Sequence, residues 1–152
     1  MSLVTELNAD IVDAKSLSTQ APGIRTFETS TQYSFAVAGG AIGVVYLALD
    51  DIIPQGALVT GVTVNTGTAL ASGGAATIAL SVGTAANSVI VAAGVLGASP
   101  WNGAVTPNQT QNIQVNLANP IRVLAPQSTL AWTVAVAALT AGVITLTVQY
   151  KV

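Results

Sequence analysis

From residue 31 onward the chain reads with a period of two. Tyr33, Phe35 and Val37 alternate with Ser34, Ala36 and Ala38, and after Gly39-Gly40 a second apolar run extends from Ile42 to Leu49. Pro54-Gln55-Gly56 is turn sequence. Leu58 to Thr66 follows, with Val62 and Val64 set against Thr63 and Asn65. Ser72-Gly73-Gly74 precedes Ala76 to Val82, in which Ile78, Leu80 and Val82 share one alternation, and Val89 to Leu96 reads as a short strand. Residues 98–109 read as a loop holding Pro100, Gly103 and Pro107. Beyond it Ile113, Val115 and Leu117 alternate with Gln114 and Asn116, Pro120 interrupts, and Ile121 to Leu124 continues. Leu130, Trp132, Val134 and Val136 mark the next strand, and Ala141-Gly142 turns into one carrying Ile144, Leu146, Val148 and Tyr150. Residues two apart share a strand face, so the pattern predicts about eight half-buried strands and an all-β antiparallel sandwich. Eight strands in two sheets is the jelly-roll number.

Residues 1–30 follow another pattern. Leu3, Leu7 and Ile11 recur every fourth position, the spacing of one short amphipathic helix, and Ala21-Pro22-Gly23 ends any helix. The expectation is an N-terminal arm over residues 1–30 and a jelly-roll-like β-sandwich domain over residues 31–152. A disordered tail is the competing reading of the first segment.

Charge sharpens the division. The chain has only four basic and six acidic residues among 152, no histidine and no cysteine. Six of the ten, Glu6, Asp10, Asp13, Lys15, Arg25 and Glu28, lie in the first 28 positions. After the pair Asp50-Asp51 only Arg122 and Lys151 are charged. An ordinary soluble surface is roughly 25–35% charged, and near-neutral surfaces tend to associate. The β domain therefore reads as a surface covered in the working state, with a solvated monomer rich in Thr, Asn, Ser and Gln as the plainer alternative. The arm residues Leu3, Glu6, Leu7, Asp10, Ile11, Asp13, Lys15 and Arg25 are the candidate partner contacts.

Chemistry is scarce. Without His or Cys there is no imidazole base, thiol nucleophile or soft metal ligand. Neighbouring strand residues point to opposite faces, so Asp50 and Asp51 make a poor general acid–base pair. Two carboxylates also fall well short of the 6–8 oxygens calcium takes; a solvated turn or pairing with Arg25 or Arg122 is the simpler reading. No nucleotide-binding or hydrolase motif occurs, and the expectation is a non-enzyme with no cofactor and no metal. Four scattered basic residues give no track for nucleic acid. The run from Tyr33 to Leu49 is broken by Gly39-Gly40 and is shorter than the roughly 20 apolar residues of a spanning helix. Too few aromatics are present to girdle a membrane barrel, so no membrane partner is expected. The acidic N-terminus lacks the basic start of a signal peptide. Asn108-Gln109-Thr110 matches a glycosylation sequon, a motif with many chance occurrences. Trp101, in a loop between Pro100 and Asn102, reads either as a surface anchor for a sugar or partner or as a lid on its own core; Trp132 reads as core.

Three stretches carry a resemblance. Ile53-Pro54-Gln55-Gly56-Ala57-Leu58-Val59-Thr60-Gly61-Val62-Thr63-Val64, the hairpin from Gly73-Gly74 through Ile78 to Ser81-Val82-Gly83-Thr84, and the ending from Thr140-Ala141-Gly142-Val143 to Val148-Gln149-Tyr150 resemble small β-rich virion proteins of tailed bacteriophages, most of all capsid decoration (cement) proteins. The stretches are turn-and-strand motifs spread over residues 50–152. The resemblance implies a jelly-roll domain, a virion location on the capsid surface, the major capsid protein as partner, self-association as a homotrimer, and no catalytic residue. The alternatives it leaves are a head-fibre or tail-associated adhesion module and a carbohydrate-binding domain.

Overall fold

The computed structural model describes residues 25–83, 89–114 and 121–152. Leu3, Glu6, Leu7, Asp10, Ile11, Asp13 and Lys15 lie outside these residues. Arg25 is exposed ahead of the first strand, where its carbonyl accepts the Val152 N–H at 3.3 Å.

The strands are β1 (Thr26–Ser34), β2 (Gly43–Ile53), β3 (Leu58–Ser72), β4 (Thr77–Val82), β5 (Val89–Val95), β6 (Gln109–Gln114), β7 (Ile121–Arg122), β8 (Gln127–Ala135) and β9 (Leu139–Lys151). All pair antiparallel, in two sheets: sheet A in the order β1-β9-β3-β6, with β7 also on β3, and sheet B in the order β2-β8-β4-β5. Gln114 faces Gly61 and Ile121 faces Val59, so β6 and β7 occupy successive stretches of one edge of β3. The all-β sandwich expected from the alternation is the fold observed. The pairing is nested: β4 with β5 innermost, then β3 with β6 and β7, β2 with β8, and β1 with β9 outermost.

The core lies between the sheets. In β9, Ile144, Leu146, Val148 and Tyr150 are buried while Val143, Thr145, Thr147 and Gln149 are half-buried on the other face. Ile78, Leu80 and Val82 of β4 and Leu130, Trp132 and Val134 of β8 face them. Burying each such aliphatic side chain contributes on the order of 1.5–3 kcal/mol.

Several elements differ from expectation. β1 starts at Thr26, not Thr31, in register from Thr26 opposite Lys151 to Ser34 opposite Val143. Its inward positions are Thr29, Thr31 and Tyr33, all buried, and the two threonines hide the alternation. The strand also stops at Ser34, so Phe35–Ala38 is one helical turn, α1, and Val37 is 89% exposed rather than inward. Val136, expected to extend β8, has φ 70° and is exposed in the turn to β9. The loop after β5 holds a 3-10 turn at Asn102–Val105, and β6 begins within what reads as loop, at Gln109.

Candidate interaction surface

The two outer faces of the sandwich are chemically unlike. On sheet A the outward positions are polar and bonded to one another. Ser30 and Thr147 share a hydroxyl hydrogen bond at 2.9 Å. The Thr63 hydroxyl donates to Asn112 Oδ1 at 2.9 Å and accepts from Gln149 Nε2 at 2.7 Å. Asn65 Nδ2 donates to the Thr110 hydroxyl at 3.3 Å. Cross-strand pairs of this kind stabilise a solvated sheet by about 0.2–1 kcal/mol each.

On sheet B the outward positions are Val44, Tyr46 and Ala48 of β2, Ala131, Thr133 and Ala135 of β8, Thr77, Ala79 and Ser81 of β4, and Val89 and Val95 of β5. None is charged. Ala131 and Ser81 are buried, the other alanines and threonines of β4 and β8 are half-buried, and the large exposed apolar side chains are Val44 and Tyr46, the latter 55% exposed, at the β2 edge and Val89 and Val95 at the β5 edge. Ile42 and Val37 are exposed beside this face. Exposed apolar surface that gathers on one face, rather than scattering, marks an interaction site.

The face ends at an edge strand. β2 pairs only with β8, in regular register from Gly43 opposite Val134 to Ala48 opposite Thr129. Its far side carries backbone groups that no strand answers among the described residues. No charge or proline interrupts Ile42 to Leu49, although such residues are what blunts an exposed edge. A groove of about 480 Å³ opens along this edge, between β2 and the end of β1 with α1; Gln32, Val37, Val45, Tyr46 and Asp50 are among its walls.

Register breaks after Ala48 and resumes with Ile53 opposite Gln127. The break holds Asp50 and Asp51, both exposed. The Thr29 hydroxyl donates to the Asp51 carbonyl at 2.9 Å and accepts the Asp51 N–H at 2.9 Å, fastening β1 to β2. The Asp51 charge lies near Tyr150, whose phenol is pushed above its ordinary pKa by burial first and by Asp51 second. Arg122 is turned elsewhere, with Nη1 donating to the Gly56 carbonyl at 3.0 Å. Among the described residues no three of His, Cys, Asp and Glu gather where they could hold a metal ion, and no helix is long and apolar enough to cross a membrane.

Trp101 offers no surface. It is fully buried, with its Nε1 donating to the Ile78 carbonyl at 2.8 Å. Its ring meets Trp132 edge-on at 5.5 Å, and Trp132 stacks on Tyr33 at 4.8 Å. The loop tryptophan is thus a lid on its own core, and the surface-anchor reading falls on the geometry. The apolar face of sheet B is what sequence reasoning did not locate. Its signal was present in Val44, Tyr46 and Ala48, but a strand apolar on both faces does not reveal which face meets the core.

No protein-family model and no curated protein matches the chain. Solved structures do. A chain of the cyanophage Pam1 capsid asymmetric unit superposes with TM-score 0.56 at 20% identity, over 88% of this chain and 89% of that one. A chain of the acid-stable capsid of the Helicobacter pylori bacteriophage KHP30 superposes with TM-score 0.52 at 14% identity, over 84% and 87%. At these identities the likeness is one of fold, spanning nearly the whole of each chain.

Proposed function

We propose that this chain is a structural protein of a bacteriophage virion, a decoration (cement) protein that binds the major capsid protein at the shell surface and associates with itself, as a homotrimer in the reading the resemblance implies. The supporting observation is the near end-to-end likeness to chains of two phage capsid structures. The strand order, nested from β4-β5 out to β1-β9, fits a jelly roll of two Greek keys. The two faces divide the work: the polar lattice of sheet A suits solvent, and the uncharged face of sheet B suits protein. Residues 1–24 hold four of the ten charges of the chain, Glu6, Asp10, Asp13 and Lys15, and in this reading Leu3, Leu7 and Ile11 add apolar contacts to the shell. Nothing in the reading calls for a catalytic group or cofactor.

The test is direct. Purified protein is mixed with empty shells of the phage whose genome encodes it, and bound copies are counted after sedimentation. The expected result is saturable binding at a fixed ratio to the major capsid protein, with shells that withstand more heat when decorated. Absence of binding would overturn the reading.

A further inference from the structure

We infer that β2 pairs edge to edge with β2 of a second copy of this chain, antiparallel and centred on Val45; the inference rests on the assembly reading above and names its contact. The edge from Gly43 to Ala48 is regular, apolar and uncharged. Unanswered backbone groups on such an edge are a template for another strand.

Charge selects the occupant. Pairing in parallel would set Asp50 and Asp51 beside their own copies, about 4.8 Å away across the sheet. Antiparallel pairing about Val45 sets Asp50 opposite the partner's Gly40. The two Asp50 residues then stand about 34 Å apart at roughly 3.4 Å per residue, beyond the ~8–10 Å over which salt screens charges. Residues 1–24 are a poorer occupant, because Glu6, Asp10 and Asp13 outnumber Lys15 and would meet Asp50 in the groove.

Side-chain parity restricts the possible registers to those centred on a residue. A two-fold axis normal to the sheet keeps outward residues outward, so opposed residues share a parity. Centring on Val45 sets Val44 beside the partner's Tyr46, twice, and a β-branched side chain against an aromatic is a favourable cross-strand pair. The contact is isologous. It joins copies two at a time, and together with a three-fold contact elsewhere it gives an even-numbered particle.

The chain has no cysteine, so single replacements in the full-length protein report this contact. Val45→Cys places two thiols opposite each other, with Cβ atoms about 4.5–5.5 Å apart, and is expected to give a disulfide dimer on mild oxidation. Val44→Cys mixed with Tyr46→Cys should cross-link more than either alone. Val95→Cys, on the opposite edge of sheet B, should stay uncrosslinked. Adding Tyr46→Lys to Val45→Cys should cut the cross-linked fraction at least tenfold. Tyr46→Lys alone, at an exposed position, should lower the light-scattering mass, which keeps the test open if the cysteine variant misfolds. Cross-linking of Val45→Cys no faster than of Val95→Cys, or an unchanged mass for Tyr46→Lys, overturns self-pairing. Uncrosslinked Val45→Cys together with shell binding lost in Tyr46→Lys assigns the edge to the shell protein and also overturns it. A cross-linked dimer that ignores shells supports self-pairing and overturns the cement reading alone.

Discussion

Thr29 and Asp51 exchange two hydrogen bonds through a single hydroxyl. The Thr29 Oγ1 donates to the Asp51 carbonyl and accepts the Asp51 N–H, each at 2.9 Å. One inward-facing threonine of sheet A thereby satisfies the backbone of sheet B where the ladder with β8 breaks. Thr29→Val keeps the shape and leaves both groups without that partner. It should destabilise the fold by about 1–3 kcal/mol, read as a lower urea midpoint at unchanged m, while Thr29→Ser should lie near wild type. Valine and serine variants of equal stability would show that the hydroxyl contributes nothing.

The two tryptophans should respond differently to the same replacement. Trp101 spends its Nε1 on the Ile78 carbonyl, whereas Trp132 Nε1 is buried with no hydrogen-bond partner among the described residues. Trp101→Phe removes a hydrogen bond to the Ile78 carbonyl; Trp132→Phe removes a buried donor that makes none. Trp101→Phe should therefore be the more destabilising by about 1 kcal/mol or more, although both rings are fully buried. Denaturant melts of the pair decide it, and the reverse order would refute the assignment.

Alkaline pH should weaken the fold. Burial raises the phenols of Tyr33 and Tyr150 above the ordinary value of 10.0, with Asp51 adding to the effect at Tyr150. A raised folded pKa means that the unfolded chain loses its proton first. The contribution is complete below pH 10 and declines as pH rises through the folded value. Stability measured from pH 8 to 11 should be level and then fall, and Asp51→Asn should soften the fall by removing a charge that opposes the Tyr150 phenolate. A fall equally steep in Asp51→Asn would exclude that charge as a cause.

Two glycines are held by close approach. A Cβ on Gly40 would lie 2.0 Å from the Leu139 carbonyl oxygen, and one on Gly142, whose φ is 139°, would lie 2.3 Å from Leu70 Cδ2. Gly73 has nothing within 4 Å of that position. Alanine at 40 or 142 should lower stability by about 2 kcal/mol or more, and alanine at 73 by under about 0.5 kcal/mol. Thermal melts of the three variants separate steric demand from turn preference.

Removing residues 1–24 should leave the sandwich folded, because every pair of β1 with β9 begins at Thr26. The same truncation should weaken binding to shells if the arm carries attachment. Removing residues 1–28 also takes Thr26, Phe27 and Glu28 out of register with Lys151, Tyr150 and Gln149, and with them the stack of Phe27 on Tyr150 at 5.7 Å; it should be measurably less stable. Circular dichroism and sedimentation with shells distinguish the two losses.

Strands whose inner face is aliphatic were legible in the sequence. Ile144, Leu146 and Val148, or Ile78, Leu80 and Val82, alternate cleanly because the outer face is Thr, Ser or Ala. β1 was legible only in part, since Thr29 and Thr31 are buried by position, Thr29 with its hydroxyl bonded to the Asp51 backbone, which composition does not advertise. Phe35 and Val37 continue a period of two and still form a helical turn, because the chain must leave sheet A there to enter sheet B, a tertiary demand absent from local preference. The uncharged surface was legible as a deficit of charge, but its place on sheet B was not. That needed the register of β2 against β8, which pairs residues 74 to 91 positions apart.

The nested pairing also sets an order of events in synthesis. β9 lies between β1 and β3 in sheet A, so neither early strand has its main partner until residues through Lys151 have been made. The innermost β4-β5 hairpin can close at once, but sheet A must wait, and contacts so distant in sequence form slowly. During that interval the chain presents unpaired strands along with the apolar run Ile42 to Leu49. Translation speed and chaperone supply, rather than final stability, should then govern how much protein reaches the folded state.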